Sequence, residues 1–368
     1  ARLLLQQPGP LNPRDKELLD QQCAQEALMS DPQTKAAVDQ WNQDQRVAVA
    51  RHARKLAASS EPHDLLAAAL IASLAGAPQP SAPGQWSREE AGAAFTAATQ
   101  RGRGDALINW MEAIDCPRFA AYSECDAQAA LLRLQRSEPD NAAVWLLAYT
   151  RADQGSLEAE QFLDNAARAT RYQVPFNDLG ALMQEQYAAV DSPDMSPLVA
   201  KALAGTFGQG ADQVPDVAGI NAMAIATVVA MPALSPLQLA CFPPGGVEPI
   251  FVIVSACTEI YTLMSEDPPL ISQRLALVNL VRITVNSPEG PGWRERLRQL
   301  HWIQSHAIQI LGSSAPQGYM GSVWRDGEVV AMQGLLAAAG ISSQPPGGWL
   351  PDDPRIRAYI EGRDPRRN

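Results

Sequence analysis

The amino-acid sequence predicts an all-α protein, and three observations lead to this prediction. Alanine, the residue with the highest helix propensity, accounts for 60 of the 368 residues. Residues with β-branched side chains cluster only in the stretch from Phe251 to Val285. Helix-start signals recur roughly every 15 to 25 residues. With 46% hydrophobic and 19% charged residues, the composition is that of a folded chain and excludes a disordered one.

Capping residues mark the helix starts in the first half of the chain. Asp31 followed by Pro32 predicts a helix toward Ser59. Proline is favoured in the first helical turn because the backbone N–H that it lacks would have no partner within the helix. Ser87 and Glu90 form a capping-box pattern, in which each side chain accepts a hydrogen bond from the other residue's amide. Further starts are predicted at Glu61-Pro62, Asp105 and Asp126.

Residues 137–172 predict a helical hairpin. A first helix beginning at Pro139 carries Trp145, Gly155 ends it, and Ser156 caps a second helix. Two antiparallel helices of about 14 residues with a short connection form an αα-hairpin. Such a unit cannot bury its apolar faces alone, so we expect it to stack on neighbouring hairpins.

The hairpin segment resembles a tetratricopeptide-type repeat through Pro139, Trp145, the small Ala148, Gly155 and the small residues of its second helix. A Ser-Glu-Pro pattern at residues 60–62 returns at residues 137–139, an offset of 77. That offset is close to two helical-hairpin units of about 34 to 45 residues each. The resemblance implies an α-solenoid of stacked hairpins. The wider chain is similar in style to helical periplasmic proteins of GC-rich Gram-negative bacteria, some of which are immunity proteins against secreted toxins.

A polar, proline-containing linker at residues 191–197 divides the chain into two predicted parts. Residues 1–190 form an acidic helical-repeat half, and residues 197–368 form a more hydrophobic helical half. One continuous superhelix is the alternative. Residues 217–247 carry no charge, but prolines interrupt them, which favours a central buried helix over a membrane span.

The remaining helices of the second half follow from their apolar patterns and their boundaries. The run after Pro249 continues to Met264 without a turn, which is too long for a strand. The other helices are predicted at Leu270 to Val285, after Gly290, from Glu328 to Ala339 before Gly340, and from Pro354.

The charge distribution indicates the kind of partner. Acidic residues outnumber basic ones 40 to 29, so a nucleic-acid binder is excluded. Residues 1–196 contain 26 acids and 17 bases, a net charge of −9, and residues 197–368 carry the remaining −2. An acidic surface of this kind attracts a basic protein surface or simply aids solubility.

Four of the five cysteines flank two short loops. Cys116 and Cys125 enclose one loop, Cys241 and Cys257 enclose the other, and Cys23 is left over. Two local disulfides would place the protein in an oxidising compartment such as the periplasm. The alternative is five reduced cysteines in the cytoplasm.

Motifs for enzymatic chemistry or for cofactors are missing from the sequence. No HExxH, CxxC, nucleophile-elbow or P-loop pattern occurs, so neither a metal nor a cofactor is predicted. A cell-wall glycan hydrolase that uses a single buried glutamate is an alternative, with Glu112 and Glu259 as its candidates. The competing interpretation makes Glu112 an exposed helix residue.

The pattern as a whole predicts a non-enzymatic module that binds a basic partner protein through an acidic concave surface. A periplasmic inhibitor or immunity-type role is favoured, and a cytosolic helical-repeat scaffold is a further alternative. The predicted contact residues are Trp145, Tyr172, Asp178, Glu185, Asp191 and Asp194.

Overall fold

The computed structural model describes residue 23 and residues 26–28, 30–75, 87–119, 121–206, 216–244, 251–313, 316 and 318–363. Seventeen helices have both ends within these ranges, residues 26–28 and 30 are also helical, and no β-strand occurs in the described residues. The prediction of an all-α protein is therefore confirmed for the described part of the chain.

The helices are numbered here in chain order. They are α1 (Pro32–Ala57), α2 (Pro62–Ala75), α3 (Arg88–Arg101), α4 (Ala106–Phe119), α5 (Ala127–Ser137), α6 (Ala142–Tyr149), α7 (Leu157–Arg168), α8 (Phe176–Ala188), α9 (Pro197–Thr206), α10 (Val217–Val229), α11 (Ser235–Cys241), α12 (Phe251–Met264), α13 (Leu270–Ile283), α14 (Gly290–Ser313), α15 (Tyr319–Asp326), α16 (Glu328–Ala338) and α17 (Pro354–Ile360).

Most predicted helix starts are confirmed by side-chain caps. Asp31 accepts a hydrogen bond from the amide of Thr34, and Ser87 forms the full capping box with Glu90. Asp126 and Ser156 cap α5 and α7 in the same way. The predicted start at Pro139 is wrong, because Asn141 caps α6 and the residues before it form a turn.

The uncharged stretch after residue 216 does not form one central buried helix. It contains two helices, α10 and α11, separated by a turn that includes Pro232. One side of α10 is buried, but Val228 is 59% exposed on the other side. Within the described ranges, no helix has both the length and the apolar character needed to cross a lipid bilayer.

One large hydrophobic cluster contains residues from both before and after the coil at residues 191–196. It runs from Ala48 in α1 to Ala331 in α16. Helix α9 packs back on α1, α10 packs on α8, and α12 packs on α7. Burial of apolar surface is the main stabilising term in folding, so these contacts tie the two predicted halves together.

Smaller clusters attach the last helices and the start of α1. Leu277 and Leu297 join α13 to α14, where Ile356 of α17 also packs. A second cluster joins α14 to α16, and a third places Trp41 of α1 against α9.

Candidate functional site

The segment between α7 and α8 is held by one buried asparagine. The Asn141 side chain caps α6, accepts a hydrogen bond from the Gln173 amide at 3.0 Å, and donates to the Gln173 carbonyl at 2.9 Å. The amide of Ala142 donates to the carbonyl of Arg171 at 2.8 Å. Asn141 therefore anchors an extended chain to the start of a helix. The sequence marks Asn141 only as a cap, because its partners lie about 30 residues away in the chain.

This extended segment has two faces with different environments. Side chains at Tyr172, Val174 and Phe176 are buried in the core, whereas Arg171 and Gln173 reach the surface. Successive side chains of an extended chain point to opposite sides, which explains the alternation. Residues 171–176 therefore connect a surface pocket to the interior of the protein.

The surface side of the segment lines a pocket of about 340 Å³. Arg171 lines it and pairs with Glu138 at 3.0 Å and with Asp140 at 3.2 Å. Burial lowers the pKa of Arg171, but the hydrogen bonds to the two carboxylates outweigh this effect and raise it. Asp178, a predicted contact residue, also lines this pocket. The full lining comprises Ala106, Leu107, Trp110, Glu138, Arg171, Gln173, Pro175 and Asp178.

The four predicted contact acids are all exposed. Asp178 and Glu185 lie seven residues apart in α8, and Asp191 and Asp194 lie in the coil after it. Seven residues correspond to two helical turns, so Asp178 and Glu185 share one face about 10 Å apart. None of the four forms an ion pair with another described residue. We refer to these four residues as the acidic face.

The two predicted aromatic contact residues have different positions. Trp145 is half-buried, donates its indole N–H to the Pro139 carbonyl at 2.8 Å, and stacks on Phe162. Tyr172 is only 5% exposed, so its ring packs in the core and does not reach a partner. Tyr172 is therefore removed from the predicted contact set.

Beneath the segment lies a group of buried polar side chains, which we call the Asp267 cluster. Its members are Tyr172, Tyr261, Asp267 and Ser272, and the hydroxyls of the two tyrosines have no hydrogen-bond partner among the described residues. Burial, followed by the charges of Asp267 and Tyr261, raises the pKa of Tyr172. The four buried side chains come from different parts of the chain.

The Asp267 carboxyl has a raised pKa, as a general acid does, but its side chain is not accessible from the surface. Burial raises the pKa of its carboxyl to about 7, while the neighbouring Ser272 hydroxyl and Val174 amide act in the opposite direction. Its side chain is 1% exposed, and it lines neither the pocket beside Arg171 nor the two cavities between α1 and α10. The sequence gives no sign of this burial, since a Glu-Asp-Pro-Pro run is typical of an exposed turn.

The two glutamates considered for hydrolysis occupy opposite environments. Glu112 is 5% exposed, so the prediction of an exposed residue is wrong; it forms an ion pair with Arg133 of α5 and accepts a hydrogen bond from the Asp126 amide at 2.9 Å. Glu259 is exposed on α12, whereas the hydrolase alternative needs a buried glutamate. Neither residue lines a pocket described here, and Glu112 serves as an interhelical contact.

Both predicted cysteine pairs lie at disulfide distance. Cys116 of α4 bonds to Cys125 with a Cα–Cα separation of 5.8 Å, and Cys241 of α11 bonds to Cys257 of α12 with a separation of 5.9 Å. Both separations fall within the usual range for disulfides. Cys23 is exposed and free.

Histidines and acids form no metal-binding group of three or more within the described ranges. His301 is buried, and desolvation followed by the nearby Arg274 charge lowers its pKa to about 4. His306 instead packs against Trp302 with the two rings tilted by 39° and their centroids 3.7 Å apart. The two imidazoles thus have separate surroundings.

Comparison of the chain with protein-family models, with curated proteins and with solved structures finds no match.

Proposed function

We propose that this protein is a non-enzymatic binding module that captures a basic partner protein through its acidic face. The observation that carries the proposal is the set of four exposed carboxylates on α8 and the following coil, none of which is neutralised by a described cation. Unpaired surface charge of one sign steers and orients a partner of the opposite sign.

The pocket beside the acidic face supports this proposal. Glu138 and Asp178 both line it, and Glu138 uses the same oxygen, Oε2, to accept from Arg171 and Asn141. Its second oxygen has no described hydrogen-bond partner. A lysine or arginine side chain of the partner would meet the unpaired Asp178 carboxylate here, and a charge-assisted hydrogen bond is stronger than a neutral one.

We further infer that the α6–α7 hairpin and its neighbours stack in the tetratricopeptide-like manner, with a more hydrophobic C-terminal half as the second part of the superhelix. The two disulfides support a role in an oxidising compartment, and a periplasmic inhibitor or immunity-type protein fits both features.

Affinity capture with matched variants tests the proposal. Tagged wild-type protein is incubated with a periplasmic extract of the source cells, and bound proteins are quantified at low and high salt. We expect a basic protein that is retained at low salt and released at high salt, because the Debye length shrinks from about 10 Å at 0.1 M to about 3 Å at 1 M. The test variant neutralises the acidic face through Asp178→Asn, Glu185→Gln, Asp191→Asn and Asp194→Asn.

The control variant neutralises four exposed acids away from the acidic face, Glu61→Gln, Glu124→Gln, Asp153→Asn and Asp352→Asn. It has the same net charge as the test variant. Loss of the partner with the test variant alone supports the proposal. Equal retention by both variants, or equal loss, contradicts a specific acidic face.

A further inference from the structure

A groove runs along the surface between α1 and α10. Two cavities of about 510 and 330 Å³ lie end to end, and Gln45, Arg46 and Asn221 line both of them. Trp41 and Leu203 lie toward one end, and Tyr187 and Val228 line the other. The lining along α1 runs from Asp39 to Val49, so the groove is about 15 Å long.

The groove offers amide side chains next to apolar walls. Asn42, Gln43, Gln45 and Asn221 each carry both a donor and an acceptor, as a peptide group does. The Gln45 Oε1 atom has no hydrogen-bond partner among the described residues. Val49, Ile225 and Val228 supply apolar surface at the other end. This combination matches a polypeptide backbone with apolar side chains.

Two opposite charges give the groove a direction. Asp39 and Arg46 lie seven residues apart in α1, so both are on the groove face and about 10 Å from each other. Both are exposed, and neither forms an ion pair with another described residue. Arg46 lines both cavities, whereas Asp39 lines only the first.

We propose that this groove binds an extended segment of a partner protein, with an acidic side chain of the segment at Arg46 and a basic side chain at Asp39. An extended chain advances about 3.3 Å per residue, so the groove holds four to five residues and the two charged positions are about three residues apart. The amide side chains bind the backbone of the segment, and the apolar end binds its hydrophobic side chains. The charge order fixes the direction in which the segment lies.

A random dodecapeptide display library is the probe for the test. Peptides enriched on the wild-type protein are synthesised together with partners in which the acidic and basic residues are exchanged. We expect the enriched peptides to bind the wild type at least tenfold more tightly than their charge-exchanged partners, measured by fluorescence polarisation. The double variant Asp39→Lys/Arg46→Glu is expected to reverse this preference.

The control double variant is Asp44→Lys/Arg51→Glu. These residues have the same spacing and charges on the same helix and are exposed, but they do not line the groove. We expect the control to bind like the wild type, and a circular-dichroism melt verifies that both variants fold. Absence of any enriched peptide, an unchanged preference in the first variant, or an equal change in the control overturns the proposal. None of these substitutions touches the acidic face, so this test and that of the proposed function fail independently.

Discussion

Tyr172 and Asp267 are both enclosed in the protein core, and the Asp267 charge adds to burial in raising the pKa of the Tyr172 hydroxyl. Tyr172 precedes α8, and Asp267 precedes α13. A charged carboxylate is costly to bury, so stability depends on whether the Asp267 carboxyl carries its proton.

We expect stability to fall as the pH rises from about 4 to about 7, in part through Asp267. Burial raises the pKa of its carboxyl from 3.8 to about 7. In this pH window the Asp267 carboxyl is protonated in the folded protein and ionised in the unfolded chain. The free energy of unfolding therefore falls as the pH rises. Between pH 4 and pH 7 the loss through Asp267 is about 3 kcal/mol.

Urea denaturation of wild-type protein and of Asp267→Asn at several pH values measures this contribution. Between pH 4 and pH 7, Asp267→Asn is expected to lose about 3 kcal/mol less stability than the wild type. Asp115 also titrates here, because burial raises its pKa to about 6, but it is unchanged in the variant. The exposed Asp352→Asn is the control and should follow the wild type. Parallel curves for wild type and Asp267→Asn would refute the assignment.

The buried ion pair between Glu112 and Arg133 joins α4 to α5. Glu112→Gln should lower the free energy of unfolding by about 3 kcal/mol, since it leaves a largely buried guanidinium without its counter-charge. A double-mutant cycle with Arg133→Met should give a coupling energy above about 1 kcal/mol. The exposed Glu124→Gln should change stability by less than about 0.5 kcal/mol. A Glu112→Gln effect as small as that of the control would mean that the pair does not stabilise the interface.

The two disulfides can be tested by counting reactive thiols and by measuring the free energy of unfolding. Denatured, unreduced protein from its native compartment should show one reactive thiol, Cys23, and reduction should raise the count to five. Removal of the Cys116–Cys125 bond by double serine substitution should cost about 3 kcal/mol, because the unfolded chain regains the entropy of a loop closed over nine residues. Five reactive thiols before reduction would contradict both disulfides and the proposal of an oxidising compartment.

Close packing of α8 on α15 predicts that Gly180 tolerates no side chain. A methyl group at Gly180 would overlap the indole ring of Trp324. Gly180→Ala should therefore lower stability by about 1–3 kcal/mol despite the higher helix propensity of alanine, and it should alter tryptophan fluorescence. Gly334→Ala is the matched control: it lies in α16 with open space around it, so the same change should stabilise by up to about 1 kcal/mol. Stabilisation by both changes would show that the α8–α15 contact is looser than described.

Features that depend on a few adjacent residues were predicted well from the sequence. The caps at Asp31, Ser87 and Asp126 act on amides two or three residues away, so the local sequence contains all their atoms. Gly340 ends α16 at a positive φ of 70°, as its place after the alanine run predicts. The two candidate cysteine pairs enclose short loops, and the structure places both at disulfide distance.

Burial could not be predicted in the same way. Glu112 and Glu259 both occur in apolar helices, yet one lies against Arg133 and the other faces solvent. The local sequence around Tyr172 and Asp267 indicates exposed positions, but both are buried because segments distant in the chain pack around them.

The sequence by itself therefore determined the helical class and most helix starts, and it offered the two cysteine pairs as candidates. The tertiary structure alone decided which polar groups are enclosed, how residues 171–176 connect the pocket to the Asp267 cluster, and where a groove opens between α1 and α10. The physical reason is range: capping and loop closure depend on neighbours in the chain, whereas burial and pocket shape depend on which helix faces meet after the chain has folded.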